Sequence, residues 1–261
     1  MQAQVQDRTE RVQAAVSIVD VSKVFGHGRA AVAALDRVTL DVAPGEFICL
    51  LGASGCGKST LLNLVADLDR PVSGTITVRA GGTGLMFQEA ALFPWLTARG
   101  NVELALKLRG VARDARRART DELLEMVHLR DFAKKRPHEL SGGMRQRVAL
   151  ARALAQDAEL LLMDEPFGAL DAMTRDRLHD ELESLWRTTG KTVMFVTHNV
   201  REAVRLGDRV VLMASRPGRV AATFDIGIPR TRRIDSAVIA NLAATITDRL
   251  RAEVADGDGH G

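Results

Sequence analysis

One octapeptide constrains this chain more than any other stretch: Gly52-Ala53-Ser54-Gly55-Cys56-Gly57-Lys58-Ser59. It follows the apolar run Phe47-Ile48-Cys49-Leu50-Leu51, which the turn signal Pro44-Gly45 bounds and which reads as a buried strand. It precedes Thr60-Leu61-Leu62-Asn63-Leu64-Val65, where Leu61, Leu64 and Val65 are spaced as on one face of a helix. Strand, glycine-rich loop and helix, in that order, form the context of a phosphate-binding loop. Glycines let successive N–H groups point into one anion, and the helix start adds its positive dipole end. Lys58 can reach β- and γ-phosphates, and the Ser59 hydroxyl can ligate Mg²⁺. Gly52 to Thr60 therefore reads as a nucleoside triphosphate site, with Mg²⁺ as the expected metal.

Around this loop, apolar strands alternate with helical spacing. Val16–Phe25 and the alternating Val38, Leu40 and Val42 read as strands, as do 75–78 and 84–87. Helices are expected through Val102–Leu108, through Leu123–Val127, opened by Leu140–Met144 and running through Val148 to Leu154, over Met173–Trp186 and over Val200–Leu206. Further strands are expected at 160–163, 192–197 and 210–213. The alternation predicts an α/β fold with a mainly parallel sheet. The stretch from about 92 to 140 reads as a helical insertion. Its Arg113, Arg116, Arg117 and Arg119 form a solvated basic face. Val238, Leu242, Ile246, Leu250 and Val254 predict a C-terminal amphipathic helix over about 235–254 whose stripe packs on the core. Residues 1–15 and 255–261 read as tails flanking a single domain, 16–254.

The net charge of +3, from 36 basic against 33 acidic residues, is too small to argue for nucleic acid. The two cysteines, Cys49 and Cys56, lack metal-ligand spacing and suit a reducing compartment. Cys56 is a spacer in an electropositive loop, a setting that favours thiolate chemistry. Nothing approaches the roughly 18 apolar residues of a membrane span, and the N-terminus, with Asp7, Arg8, Glu10 and Arg11, is not built as a secretory signal. The expectation is a soluble, intracellular protein whose membrane role, if it has one, comes through a partner.

Two further signals carry chemistry. Leu160-Leu161-Leu162-Met163 holds a strand in the core, and Asp164 and Glu165 emerge at its carboxyl end. They read either as strand-end surface groups or, beside a phosphate loop, as a Mg²⁺ ligand (Asp164) and a residue that polarises the attacking water (Glu165). Upstream, Ser141-Gly142-Gly143 opens a helix, as a simple cap or as a second anion nest.

The run Leu140-Ser141-Gly142-Gly143-Met144-Arg145-Gln146-Arg147 resembles the signature motif of the ATP-binding cassette (ABC) family, with Met144 where the family usually has Gln. The resemblance extends from Val16 to about Ile228. It implies a P-loop ATPase core with an antiparallel β subdomain and the helical subdomain already noted. It also implies a head-to-tail dimer, either a homodimer or a pair with a second ABC ATPase, in which Ser141, Gly142 and Gly143 of one subunit close over ATP held by Lys58 of the other. By the same resemblance, Phe25 stacks on adenine and Gln88 touches Mg²⁺ and water. Gly168-Ala169-Leu170-Asp171 contacts the opposite subunit, and His198 bonds the γ-phosphate. Taken alone, a Phe at a strand end is often core and a lone His is usually a structural residue.

The segment Gln88-Glu89-Ala90-Ala91-Leu92-Phe93-Pro94-Trp95-Leu96-Thr97 and the motif Arg216-Pro217-Gly218-Arg219 look like the importer ATPases of the nitrate/sulfonate/taurine group. The stretch from Thr75 to Leu85 is shorter than that group's strand pair. The subgroup implies a polytopic permease, reached through Leu92, Phe93, Trp95 and Leu96 as apolar anchors or as plain subdomain core. It implies an extracytoplasmic solute-binding protein indirectly, and a place at the cytoplasmic face of the membrane. The other readings are a soluble ABC ATPase acting on nucleic acid or ribosomes, or an ATPase for lipid transport or export. About 50 residues separate Gln88 from Ser141, too few for the long coiled coil of chromosome and repair ATPases.

Overall fold

The computed structural model describes residues 14–168 and 170–258, the side chains of 29 and 254–258 excepted. The expected tail up to residue 13, Ala169, the Val254 side chain and residues 259–261 thus lie outside the described residues. In chain order the elements are β1 (Val16–Phe25), β2 (Val32–Val42), β3 (Phe47–Leu51), α1 (Lys58–Val65), β4 (Ser73–Val78) and β5 (Thr83–Met86). There follow α2 (Ala98–Leu108), α3 (Arg113–Met126), α4 (Gly142–Ala155), β6 (Leu160–Asp164) and α5 (Ala172–Thr189). The chain continues with β7 (Thr192–Thr197), α6 (Val200–Leu206), β8 (Arg209–Ala214), β9 (Arg219–Asp225) and α7 (Ala237–Asp258).

Residues 1–80 and 190–261 form one compact unit and 81–189 a second. In the first unit, β3 is flanked by β7 and β8, both parallel to it, and β9 closes the edge antiparallel to β8. Every residue of β3 and of β7 is buried. Continuous apolar strands are what a parallel sheet covered on both faces requires. A three-stranded antiparallel sheet, ordered β2-β1-β4, completes the strands of this unit. Ala14 and Ala15 are already buried, and the Ala15 N–H donates to Val42 O, so chain order begins before β1. In the second unit β5 and β6 pair in parallel, with α2, α3, α4 and α5 around them in sequence. Arg113, Arg117 and Arg119 are exposed on α3, in line with a solvated face, while Arg116 is half-buried.

Two features depart from the sequence reading. β9 is not anticipated, because a half-exposed edge strand of mixed composition carries no alternation to detect. In α7 the buried residues are Ile239, Ala243 and Ile246, while Val238 is 59% exposed. The inward stripe thus starts one residue later than expected, and the helix backbone runs to Asp258 rather than ending near 254. Arg232 is buried beside α6. Its guanidinium donates to the carbonyls of Val204, Gly207 and Ile226, and its Nε to Ile228 O, gathering the orphan acceptors at the end of α6. Among the described residues, no helix is long and apolar enough to cross a membrane.

Candidate functional site

In the first unit, the glycine-rich loop leaves β3 and turns directly into α1. Gly57 is the helix N-cap at φ +88°, a left-handed conformation that glycine adopts without strain, and no side chain caps the helix. A Cβ on Gly57 would lie 2.6 Å from Leu35 Cδ2 and 2.8 Å from Ala34 O, so the loop is pressed against β2. One on Gly52 would lie 2.6 Å from Cys56 Sγ. Lys58 is folded into the loop it begins from, its Nζ donating to Gly52 O and Ala53 O, each at 2.8 Å. The ammonium is therefore stationed at the centre of the curl, with the Ser59 hydroxyl group on the exposed side. Cys56 is fully buried with Sγ 3.5 Å from Lys58 Nζ. Its thiol is a packing group, which corrects the expectation of a reactive cysteine: the electropositive setting is present but access is not.

Leu51 and Thr197 are register partners, so Gly52 and His198 leave the same end of adjacent parallel strands. His198 is exposed there. Phe25 closes β1 opposite Val32, 46% exposed, and Lys23 Nζ stands 5.1 Å from its ring centroid. Lys23 is itself held by Asp69 at 2.6 Å, which lowers that carboxyl below the usual range. Phe25 is thus an available ring face and not a core residue. Gly218, which sequence reading left without a local role, backs the loop: a Cβ there would lie 2.2 Å from Cys56 O. Its N–H donates to Ala34 O. The Pro217-Gly218 pair was the available signal.

In the second unit, Met86 and Met163 are register partners, so Gln88 and the pair Asp164, Glu165 emerge from the same end of adjacent strands. Asp164 is 9% exposed, and Glu165 is half-buried at φ +43°, a left-handed conformation unusual for a side chain of its size. The segment after it is fastened through its main chain: Gly168 N–H donates to Glu165 O, and Arg175 donates to Phe167 O and Leu170 O. Asp171 accepts the Thr174 N–H at 3.0 Å at the start of α5, and that bond holds its carboxyl below the usual carboxylate range. Ser141 is exposed and caps α4, its Oγ accepting the Met144 N–H at 3.2 Å. Gly142 beside it is exposed and Gly143 half-buried, so the cap leaves an open helix start. In the second unit Gln88 and Asp164 offer an amide and a carboxylate oxygen, and in the first Ser59 offers a hydroxyl; each is a hard donor of the kind that Mg²⁺ takes.

A cavity of about 580 Å³ opens on the same unit, lined by Phe87, Ala91, Phe93, Leu104, Leu108 and Arg109 among others. Phe93 lines it. Of the other expected anchors, Trp95 is 67% exposed and packs on Phe93 with ring centroids 5.4 Å apart, while Leu92 and Leu96 are half-buried. The Leu108 side chain is 80% exposed at its edge, an unusual position for leucine.

The ABC transporter family matches residues 35–168. The nitrate import ATP-binding protein of Synechocystis sp. is 46% identical over 221 residues, 82% of this chain and 83% of its own. The taurine import ATP-binding protein of Mesorhizobium japonicum is 47% identical over 230 residues, 85% of this chain and 90% of its own. A dimeric ATP-binding cassette solved in a post-hydrolysis state, bound to ADP and Pi, superposes with a TM-score of 0.75 at 35% identity, covering 82% of this chain and all of its own.

Proposed function

Because the chain belongs to the ABC transporter family, we propose that it is the ATP-hydrolysing subunit of an importer, driving uptake of a small solute such as nitrate, a sulfonate or taurine through a membrane permease. The observation that carries the reading is the Lys58 ammonium seated in a glycine curl at an uncapped helix start. That is an anion site with a charge at its centre. The reaction is ATP and water to ADP and phosphate.

Lys58 neutralises the γ-phosphate, and the loop amides from Gly52 to Thr60 position the phosphate chain. Ser59, Gln88 and Asp164 would hold Mg²⁺, which, when bound, neutralises phosphate charge. Glu165 orients and polarises the attacking water, His198 donates to the γ-phosphate, and Phe25 offers its face to adenine. Ser141, Gly142 and Gly143 form the second anion nest, which closes over nucleotide held by a partner subunit. Asp171 lies in the loop that meets that partner. The cassette to which this chain is similar was solved as a dimer, which supports a dimeric unit. The cavity beside Phe93 is the groove for a short permease helix: it is mainly apolar and open, and Ala91 and Phe93 of the segment after Gln88 line it. A solute-binding protein outside the membrane completes the importer without touching this chain.

The direct test is Glu165→Gln assayed for phosphate release and ATP binding. The expected outcome is a loss of release of at least about a hundredfold with ATP affinity retained. Release at the parent rate would remove Glu165 from the water-activating role.

A further inference from the structure

Helix α4 begins at the Ser141 nest and carries two side chains that reach the segment following β5. Gln146, only 6% exposed, donates from Nε2 to the main-chain carbonyl of Gln88. Arg152, two turns farther along, donates to Ala91 O at 2.8 Å and Ala90 O at 3.0 Å, with its guanidinium 6.0 Å from the Phe93 ring centroid. Ala91 between them sits at φ +41°, a left-handed conformation that a non-glycine residue holds only when its surroundings over-determine it. On the far side of the segment, Asn101 accepts the Phe93 N–H at 2.8 Å and donates back to Phe93 O. The turn at Gln88 is therefore positioned by its backbone, and α4 is the element that positions it.

The chemistry at Gln146 is one-sided. A carbonyl can only accept, so the amide must face Gln88 O with its nitrogen, which leaves Oε1 buried with no hydrogen-bond partner. A buried acceptor left unmet is disfavoured, and a glutamine serving packing alone would be replaceable by an apolar side chain of the same length at no loss.

We propose that Gln146 is a positioning residue for hydrolysis: it ties the Gln88 turn to the helix that starts at Ser141, so that Gln88 is presented to the metal and the attacking water only in the register that α4 dictates. The inference rests on the roles given above to Gln88 and Ser141. Because Gln146 acts on Gln88 and not on the phosphate loop, it governs turnover and leaves nucleotide affinity alone.

Two variants test this in the ATPase–permease complex and in the isolated chain. Gln146→Met preserves length with no donor and only a weak thioether acceptor, and Gln146→Glu keeps acceptors and removes the donor. Both are expected to lower kcat at least about tenfold with KM for MgATP within about twofold. The Met variant should melt close to the parent temperature, since it removes an unmet polar atom and gives up one hydrogen bond, whose carbonyl belongs to exposed Gln88. A Met variant with kcat within about twofold of the parent would overturn the inference. So would one that loses kcat, ATP affinity and thermal stability together, because that is the mark of a structural role. A parent chain that hydrolyses no ATP in either form would bring down the ATPase reading and this inference with it. An active parent with equally active variants would bring down the inference alone.

Discussion

At the scale of single residues, the site is set by groups whose backbone environment admits few alternatives. Gly57 has a left-handed φ of +88° and a neighbouring carbonyl 2.8 Å from where a Cβ would stand. Gly57→Ala should therefore lose ATP binding through distortion of the loop, which isothermal titration would read directly. Lys58→Ala removes the charge at the centre of the curl, and phosphate release should fall at least about a hundredfold. Asp171 carries a pH signature. Its carboxyl titrates below its ordinary value in the folded chain because Thr174 donates to it. Its stabilising effect is thus complete above about pH 4, the unfolded value, and is lost as acid takes the pH down through the lower folded value. The Tm difference between parent and Asp171→Ala should be the same at pH 8 and pH 5 and should shrink below about pH 4. A difference that holds constant into stronger acid would show that the carboxylate charge is not what caps α5. That Gly52, Asp164 and His198 stand at strand ends was legible in the sequence, because an apolar run stops at each of them. Gln146 was not, because its partner is a main-chain carbonyl 58 residues away and no side-chain pattern records that.

At the scale of elements, what could be read depended on burial. β3, β6 and β7 are buried from end to end, and their apolar runs, closed by Asp164 in β6 and flanked by threonines in β7, stand out in sequence. β9 and the entry into β2 are half-exposed, so their composition is that of a loop. The α7 stripe was misplaced by one residue because Val238 and Ile239 are both β-branched and apolar, and only packing decides which faces inward. Since β3 both supports the phosphate loop and is fully buried, Leu50→Ala should cost about 2–5 kcal/mol in chemical denaturation. It should shift the midpoint without changing m. Arg232 makes a different case. It satisfies carbonyls at the end of α6 and in the segment after β9, so Arg232→Ala leaves several buried acceptors unmet at once. Hydrogen exchange in α6 should rise in that variant while exchange in β3 stays slow. Equal exchange in both elements would mean that Arg232 does not hold α6 in place.

At the scale of the whole molecule, the proposed function gives the chain two anion nests, at Lys58 and at Ser141, and these residues lie one in each compact unit. The proposed reading has them meet across a dimer, so nucleotide should control association. Glu165→Gln in saturating ATP and Mg²⁺ is expected to run as a dimer by light scattering and as a monomer with ADP. A mass independent of nucleotide would count against shared sites. The central claim, that hydrolysis serves a membrane permease, is tested most directly by recovering the tagged protein from detergent-solubilised membranes of its native host and identifying what co-purifies by mass spectrometry. The account predicts a polytopic permease in stoichiometric amount, lost when Leu108 and Phe93 at the groove are both changed to Asp. Recovery from the soluble fraction with ribosomes or DNA, and no permease, would contradict it.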